Sequence, residues 1–166
     1  MPASTDVLLP DADRALCETA LEAARGAYAP YSGYAVGVAV RSADGEVFTG
    51  ANMENASYGL SVCAEVGALS AASRAGRRDI ETIAVVGYLF HPAEDRTGVC
   101  TPCGRCRQLI AELADLGGRD IVVYCCNGDL SKIERRTLSE LLPHRFGPAD
   151  LGMRDRWAAM EKRLRG

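Results

Sequence analysis

The sequence predicts an α/β fold in which a mixed central β-sheet carries helices on both faces. Three observations carry that expectation. Two strand-like runs flank an Asp-Gly pair, which reads as a hairpin and so as antiparallel pairing. Beyond the hairpin, helical and strand patterns alternate, which calls for β-α-β units with parallel pairing. The chain has 166 residues, 48% of them hydrophobic and 25% charged, which suits one globular domain with a sizeable core. We therefore read residues 1–166 as a single domain, with its core over about 12–151 and a helical tail over about 148–166.

The elements follow in order. Leu16, Ala20, Leu21 and Ala24 recur at helical spacing and predict a first amphipathic helix that ends near Gly26. Residues 35–42 (AVGVAVRS) and 46–51 (EVFTGA) are the strands around Asp44-Gly45. Residues 63–76 (CAEVGALSAASRAG) are Ala-rich and end in Gly, as a helix does. An apolar strand is expected over about 82–90 (TIAVVGYLF), then a loop over 91–102. Leu109, Leu113 and Leu116 give a helix over 104–117 its apolar stripe, and Gly117-Gly118 stops it. DIVVYCC (120–126) is a buried-strand pattern, and Leu138 to Leu142 make a short turn of helix before Pro143.

Charge and hydropathy exclude several classes. The longest apolar run, IAVVGYLF (83–90), is too short to span a bilayer. The N-terminus has an early acid and no apolar stretch before a cleavage site, so a cytoplasmic protein without membrane attachment is expected. A net charge of −3 argues against a nucleic-acid polymer as partner, since phosphate contacts call for basic excess. Arg74, Arg77 and Arg78, and the basic tail from Arg154 to Arg165, read as helix ends and solvated faces.

Seven cysteines in such a chain point to metal or catalysis rather than to a disulfide framework. Cys17, Cys125 and Cys126 sit in helix or strand patterns and read as small buried hydrophobes. Cys100, Cys103 and Cys106 are evenly spaced just before a helix. Cys103 and Cys106, at i and i+3, share a helix face, and Pro102 places them in the first turn. Free backbone N–H groups and the helix dipole favour thiolates there. Cys63 opens another helix, with Glu65 two residues on. Three protein ligands would leave a zinc position open for water, and a nearby carboxylate could move protons. Other readings stay open on spacing alone. Glu65 could simply complement a helix dipole, the CxxC could be a redox pair, and a fourth Cys would make a structural zinc site. Cys100-x2-Cys103-x2-Cys106 also looks like the start of an iron–sulfur run. Cys100 precedes Pro102, outside the helix, and is expected to be a bystander.

Cys-Ala-Glu at 63–65 together with Pro-Cys-Gly-Arg-Cys at 102–106 matches the ligand pattern of the zinc deaminases, in which a non-ligand Glu serves as acid and base. With AYAPYSGYAVGVAV (27–40), GANMENASYGLSVCAE (50–65), PCGRCRQLI (102–110) and ELLPHRFGPADL (140–151), the chain resembles the small homotetrameric cytidine deaminases over about residues 23–151. The resemblance implies a three-layer fold, one Zn²⁺ per subunit held by Cys63, Cys103 and Cys106, and Glu65 as proton shuttle. It implies that Asn52 and Glu54 hold the ribose hydroxyls, beside Asn55 and Ala56, and that the Ala64 backbone meets the base. Tyr34 falls where the family usually has a Phe that packs on the pyrimidine, and Tyr58 and Phe146 match residues that complete the pocket of a neighbouring subunit. The expected partners are a nucleoside substrate and three further copies of the chain. The expected reaction is hydrolytic deamination of cytidine and 2′-deoxycytidine, with a modified cytosine nucleoside of the blasticidin type as the alternative substrate. The sequence departs from the family at Val66, where many members carry an Arg that offsets the thiolate charge; helix dipoles and Arg107 are the expected substitutes. It departs again in a longer loop over 91–101, at the rim of the expected pocket.

Overall fold

The computed structural model describes residues 9–91 and 98–165. In chain order the elements are α1 (Asp11–Ala24), β1 (Tyr34–Ser42), β2 (Val47–Ala51), α2 (Ala64–Arg74), β3 (Ile80–Leu89), α3 (Gly104–Gly117), β4 (Val122–Cys126), β5 (Ile133–Thr137), α4 (Leu138–Leu141) and α5 (Met153–Arg165). Short 3₁₀ turns lie at Tyr58–Leu60 and Pro148–Leu151. The strands form one sheet in the order β2-β1-β3-β4-β5. Only β3 and β4 pair in parallel; the other neighbours are antiparallel.

Alternation along the strands builds the layers. Val38 and Val40 of β1, Ile83 and Val85 of β3, and Val123 and Cys125 of β4 face one side. There they pack on Ala64, Ala68, Leu69 and Ala72 of α2 and on Ile110, Ala111 and Ala114 of α3. The intervening Ala39, Ala84, Val86, Tyr124 and Cys126 face the other side, against Leu16, Cys17 and Ala20 of α1. The result is the expected three-layer arrangement, with Cys17, Cys125 and Cys126 fully buried. A polar tie fixes α1 to the sheet: the Tyr124 hydroxyl donates to Asp13 at 2.6 Å, and Arg41 pairs with the other Asp13 oxygen at 2.6 Å.

Two close approaches set where the helices sit. A Cβ on Gly50 of β2 would run into the backbone of Ala64 and Ala68, so α2 lies directly on the edge strand. That contact places the first turn of α2 at the end of the sheet. Parallel pairing of β3 with β4 requires a crossover, which α3 supplies on the same face as α2. The Cys100 N–H donates to Cys126 O at 3.0 Å, which ties the approach to α3 to the end of β4.

The sequence reading missed β5. Its residues IERRT are strongly charged, as an exposed edge strand tends to be, and pairing with β4 makes it a strand. Arg77 pairs with Asp44 at 2.7 Å and also with Glu46, beside the hairpin turn. Arg78 pairs with Glu161 at 2.8 Å and lies over the Trp157 ring, which holds α5 to the body. Among the described residues no helix is long and apolar enough to cross a membrane. Residues 92–97, most of the long loop, lie outside the described residues.

Candidate metal centre and substrate cleft

The starts of α2 and α3 meet at one end of the sheet. Cys63 is the N-cap of α2 and Cys103 the N-cap of α3, both in extended backbone, and neither spends its side chain on capping. Their sulfurs are 3.9 Å apart although the residues lie 40 positions apart in the chain. Cys106, one turn into α3, brings its sulfur to 3.5 Å from that of Cys103. All three Sγ atoms lie within 4.8 Å of one another, and no other such group of donors occurs among the described residues. Ligands on a tetrahedral zinc at ~2.3 Å stand ~3.8 Å from each other, so the three thiols have the spacing of a zinc site. Cys100 is not in the group, and neither is Glu65. All seven cysteines lie within the described residues, so neither a four-thiolate zinc site nor an iron–sulfur site finds its fourth cysteine here.

Electrostatics support a cation at this point. Burial and the negative charge of Glu65 push the Cys106 thiol up from its ordinary pKa. Burial also raises Cys63, whereas at Cys103 the contacts with the backbone and thiol of Cys106 outweigh burial and lower it. Three thiolates beside a carboxylate repel one another, and a divalent ion removes that repulsion. Helix starts supply part of the positive potential, from two directions. Arg107 does so less directly than expected, because its guanidinium donates to Pro102 O at 2.8 Å and Leu141 O at 2.9 Å. It pins the Pro-Cys turn in place.

Beside the thiols is a cleft of about 240 Å³ lined by Val36, Asn52, Glu54, Cys63, Ala64, Glu65 and Cys103, among others. Glu65 is only 4% exposed, and burial raises its carboxyl above the ordinary range. Asn52 is braced against β1: its Oδ1 accepts from Val36 N–H and its Nδ2 donates to Tyr34 O, both at 2.9 Å. Glu54 accepts from the N–H groups of Tyr31 and Ser32 at 2.8 and 3.2 Å. These donors, with the Ser32 side chain foremost, hold its carboxyl below the ordinary range.

The remaining expected residues fall outside this cleft. Tyr58 lines an adjoining cavity of about 300 Å³ with Tyr31, Ser32, Glu54 and Ser61, and meets the Tyr31 ring edge-on at 5.6 Å. Asn55 accepts from Ser57 N–H in a tight turn, and Ala56 is exposed on that turn. Phe146 is 62% exposed and its carbonyl accepts from Gln108 on α3, away from the cleft lining. Tyr34 does not line the cleft. Its hydroxyl meets the Cys100 thiol above Gly87, where an added Cβ would fall 2.5 Å from the hydroxyl and 2.8 Å from the sulfur. Cys100 stays out of the thiol cluster, as expected. It forms part of the cleft wall, and burial pushes its thiol up to about 11. Sequence reasoning assigned no role to Tyr31, Ser32 or Ser61; the Pro-Tyr-Ser-Gly turn is a signal for the first two alone.

A zinc site with three protein ligands, an open fourth position and a dry carboxylate at its edge belongs to hydrolytic chemistry. The family model for the cytidine and deoxycytidylate deaminase zinc-binding region matches residues 10–125. A cytidine deaminase of Halalkalibacterium halodurans is 46% identical over 138 residues, spanning 82% of this chain and 95% of that protein. The cytidine deaminase of Mycobacterium tuberculosis is 39% identical over 144 residues, 86% of this chain and 96% of its own. Among solved structures, the cytidine deaminase of Burkholderia pseudomallei superposes with a TM-score of 0.70 at 41% identity, covering 80% of this chain and 98% of that one. The chain belongs to the zinc-binding cytidine and deoxycytidylate deaminase family.

Proposed function

We propose that this chain hydrolyses cytidine and 2′-deoxycytidine to uridine and 2′-deoxyuridine, releasing ammonia. The observation that carries this reading is the cluster of Cys63, Cys103 and Cys106 with the buried Glu65 in the same cleft. The three thiols would hold the metal. Zinc bound there supplies activation of a water toward attack on an electron-poor ring carbon.

The residues of the chain do the rest. Glu65 accepts the proton of the attacking water and delivers it to N3 of the pyrimidine, which makes C4 more electrophilic. It then takes the second water proton from the oxygen added at C4 and passes it to the 4-amino group, which leaves as ammonia while the C4 carbonyl forms. One carboxylate serving as base and then as acid works best with a pKa raised toward the operating pH, and its burial acts in that direction. The Ala64 N–H opens α2, has no partner within the helix and is available to the base. Asn52 and Glu54 offer donor and acceptor to the sugar hydroxyls. A free nucleoside suits the site better than its 5′-phosphate, because among the described residues both cavities are lined by Glu54, the inner one also by Glu65, and neither by a cationic side chain.

We further propose a homotetramer with active sites shared between copies. Tyr28, Tyr31, Met53, Tyr58 and Leu60 are each at least 50% exposed on one stretch of surface around the outer cavity, an apolar patch that a neighbouring copy would cover. Exposed Phe146 would in turn serve a neighbour's pocket.

Glu65→Gln tests the chemistry. It is expected to retain one zinc per subunit and to lose at least about 10²–10⁴-fold in the rate of ultraviolet-monitored deamination. An unchanged rate would remove Glu65 from the mechanism. A panel of cytidine, 2′-deoxycytidine and modified cytosine nucleosides tests the substrate class, and turnover confined to the modified compounds would refute the assignment.

A further inference from the structure

Glu54 does not stand alone at the edge of the cleft. Its Oε2 receives the Tyr31 and Ser32 N–H groups at 2.8 and 3.2 Å. The Ser32 hydroxyl accepts the Tyr34 N–H at 3.0 Å, which closes the turn that presents both N–H groups. Tyr34 begins β1, so the hydroxyl of Ser32 ties the turn that holds the carboxylate to the sheet. The backbone closes a second loop around it: Glu54 N–H donates to Tyr28 O at 2.8 Å, and Tyr28 N–H donates to Asn52 O at 2.9 Å. Asn52 is in turn braced on Tyr34 and Val36. Residues 28–36 therefore form one template for both polar groups at this edge of the cleft.

A carboxylate has about four acceptor positions, and the turn's N–H groups occupy two of them. The group still lines both cavities, so the remaining capacity is available to a ligand from a fixed direction. Ser32 is exposed, and without its hydroxyl Glu54 could turn toward water instead.

We propose that Ser32 is a positioning residue for sugar recognition: its hydroxyl, held by the Tyr34 N–H, braces the turn whose N–H groups lock the Glu54 carboxylate in the orientation that accepts a sugar hydroxyl. The inference rests on the reading of Asn52 and Glu54 as the pair that binds the sugar. It predicts that Ser32 acts on sugar discrimination rather than on turnover in general.

The test compares cytidine with 2′,3′-dideoxycytidine, which lacks the hydroxyls that Glu54 would accept. The readout is the ratio of kcat/KM for the two substrates in the zinc-loaded enzyme. Ser32→Ala is expected to lower that ratio about three- to tenfold, chiefly by raising KM for cytidine, as loss of a charge-assisted contact does. Ser32→Thr keeps the hydroxyl and is expected to restore the ratio. Glu54→Gln is expected to lower the ratio by itself, with Ser32→Ala adding little in the double variant because both act on one contact. A Ser32→Ala enzyme that loses equally on both substrates would mean general loosening of the turn and would overturn the proposal. A wild-type enzyme that does not distinguish the two substrates would instead overturn the reading of Glu54 itself, and the role of Ser32 with it.

Discussion

At the scale of single residues, the site depends on what each cysteine does with its sulfur. Cys63 and Cys103 occupy N-cap positions where Ser, Thr, Asp or Asn would normally satisfy a helix N–H. Neither sulfur caps, and both are therefore available to a metal. Cys100 is close in sequence yet faces Tyr34 over Gly87. We therefore predict that Cys63→Ala and Cys103→Ala purify without stoichiometric zinc, whereas Cys100→Ala keeps one zinc per subunit by elemental analysis. Zinc loss in Cys100→Ala would place its sulfur in the metal centre after all. The hydroxyl that Tyr34 adds to the family's usual Phe finds its partner in this same thiol.

At the scale of elements, the centre is a product of two helix starts held together from outside. Gly50 lets α2 rest on β2, and Arg107 clasps Pro102 to Leu141 at the start of α3. Gly50→Ala would force backbone apart rather than a flexible side chain, so we predict a loss of about 1–3 kcal/mol in urea unfolding and a weaker hold on zinc. Unchanged zinc affinity in that variant would show that the start of α2 does not depend on the edge strand. Thr137 caps α4 in a reciprocal capping box with Glu140, and α4 carries the fully buried Leu138 and the Leu141 carbonyl that Arg107 uses. Thr137→Ala is expected to cost about 1 kcal/mol, read as a shift of the unfolding midpoint.

At the scale of the whole molecule, metal, fold and assembly are linked. The clustered cysteines come from before and after β3 in the chain, so an ion bound there would staple α2 to α3 and stabilise the folded chain, the more so the tighter it binds. Removing zinc with a chelator is expected to lower Tm reversibly, and a Tm insensitive to chelation would show that the centre carries no folding free energy. Light scattering is expected to give four times the 17.7 kDa chain mass. Phe146→Ala is expected to raise KM for cytidine although Phe146 lies away from the cleft lining of its own chain. A monomer with undiminished activity would exclude shared active sites.

Much of this was legible in the chain itself. Local pattern placed the central strands and helices α1, α2 and α3; residues 38–40, 83–86 and 123–126 alternate between two buried faces. Cys-Ala-Glu and Pro-Cys-Gly-Arg-Cys carried the metal centre and its chemistry, since local motifs at helix starts hold most of the information such a site needs. Strand β5 was not legible, because an edge strand shows water one side and its charges hide the pattern. Even spacing alone makes Cys100 look equivalent to Cys103 and Cys106; Pro102 already sets it apart in the sequence, and the packing of two helix starts across 40 residues leaves it out of the cluster. The link from Ser32 to Glu54 likewise joins residues 22 positions apart through a carboxylate and two backbone N–H groups. Side-chain identity and local period were enough for the layers, the family and the three cysteines that cluster. Only the tertiary structure shows what Cys100 packs against, which strand closes the sheet and which turn steadies Glu54, because each of those depends on a contact between distant segments.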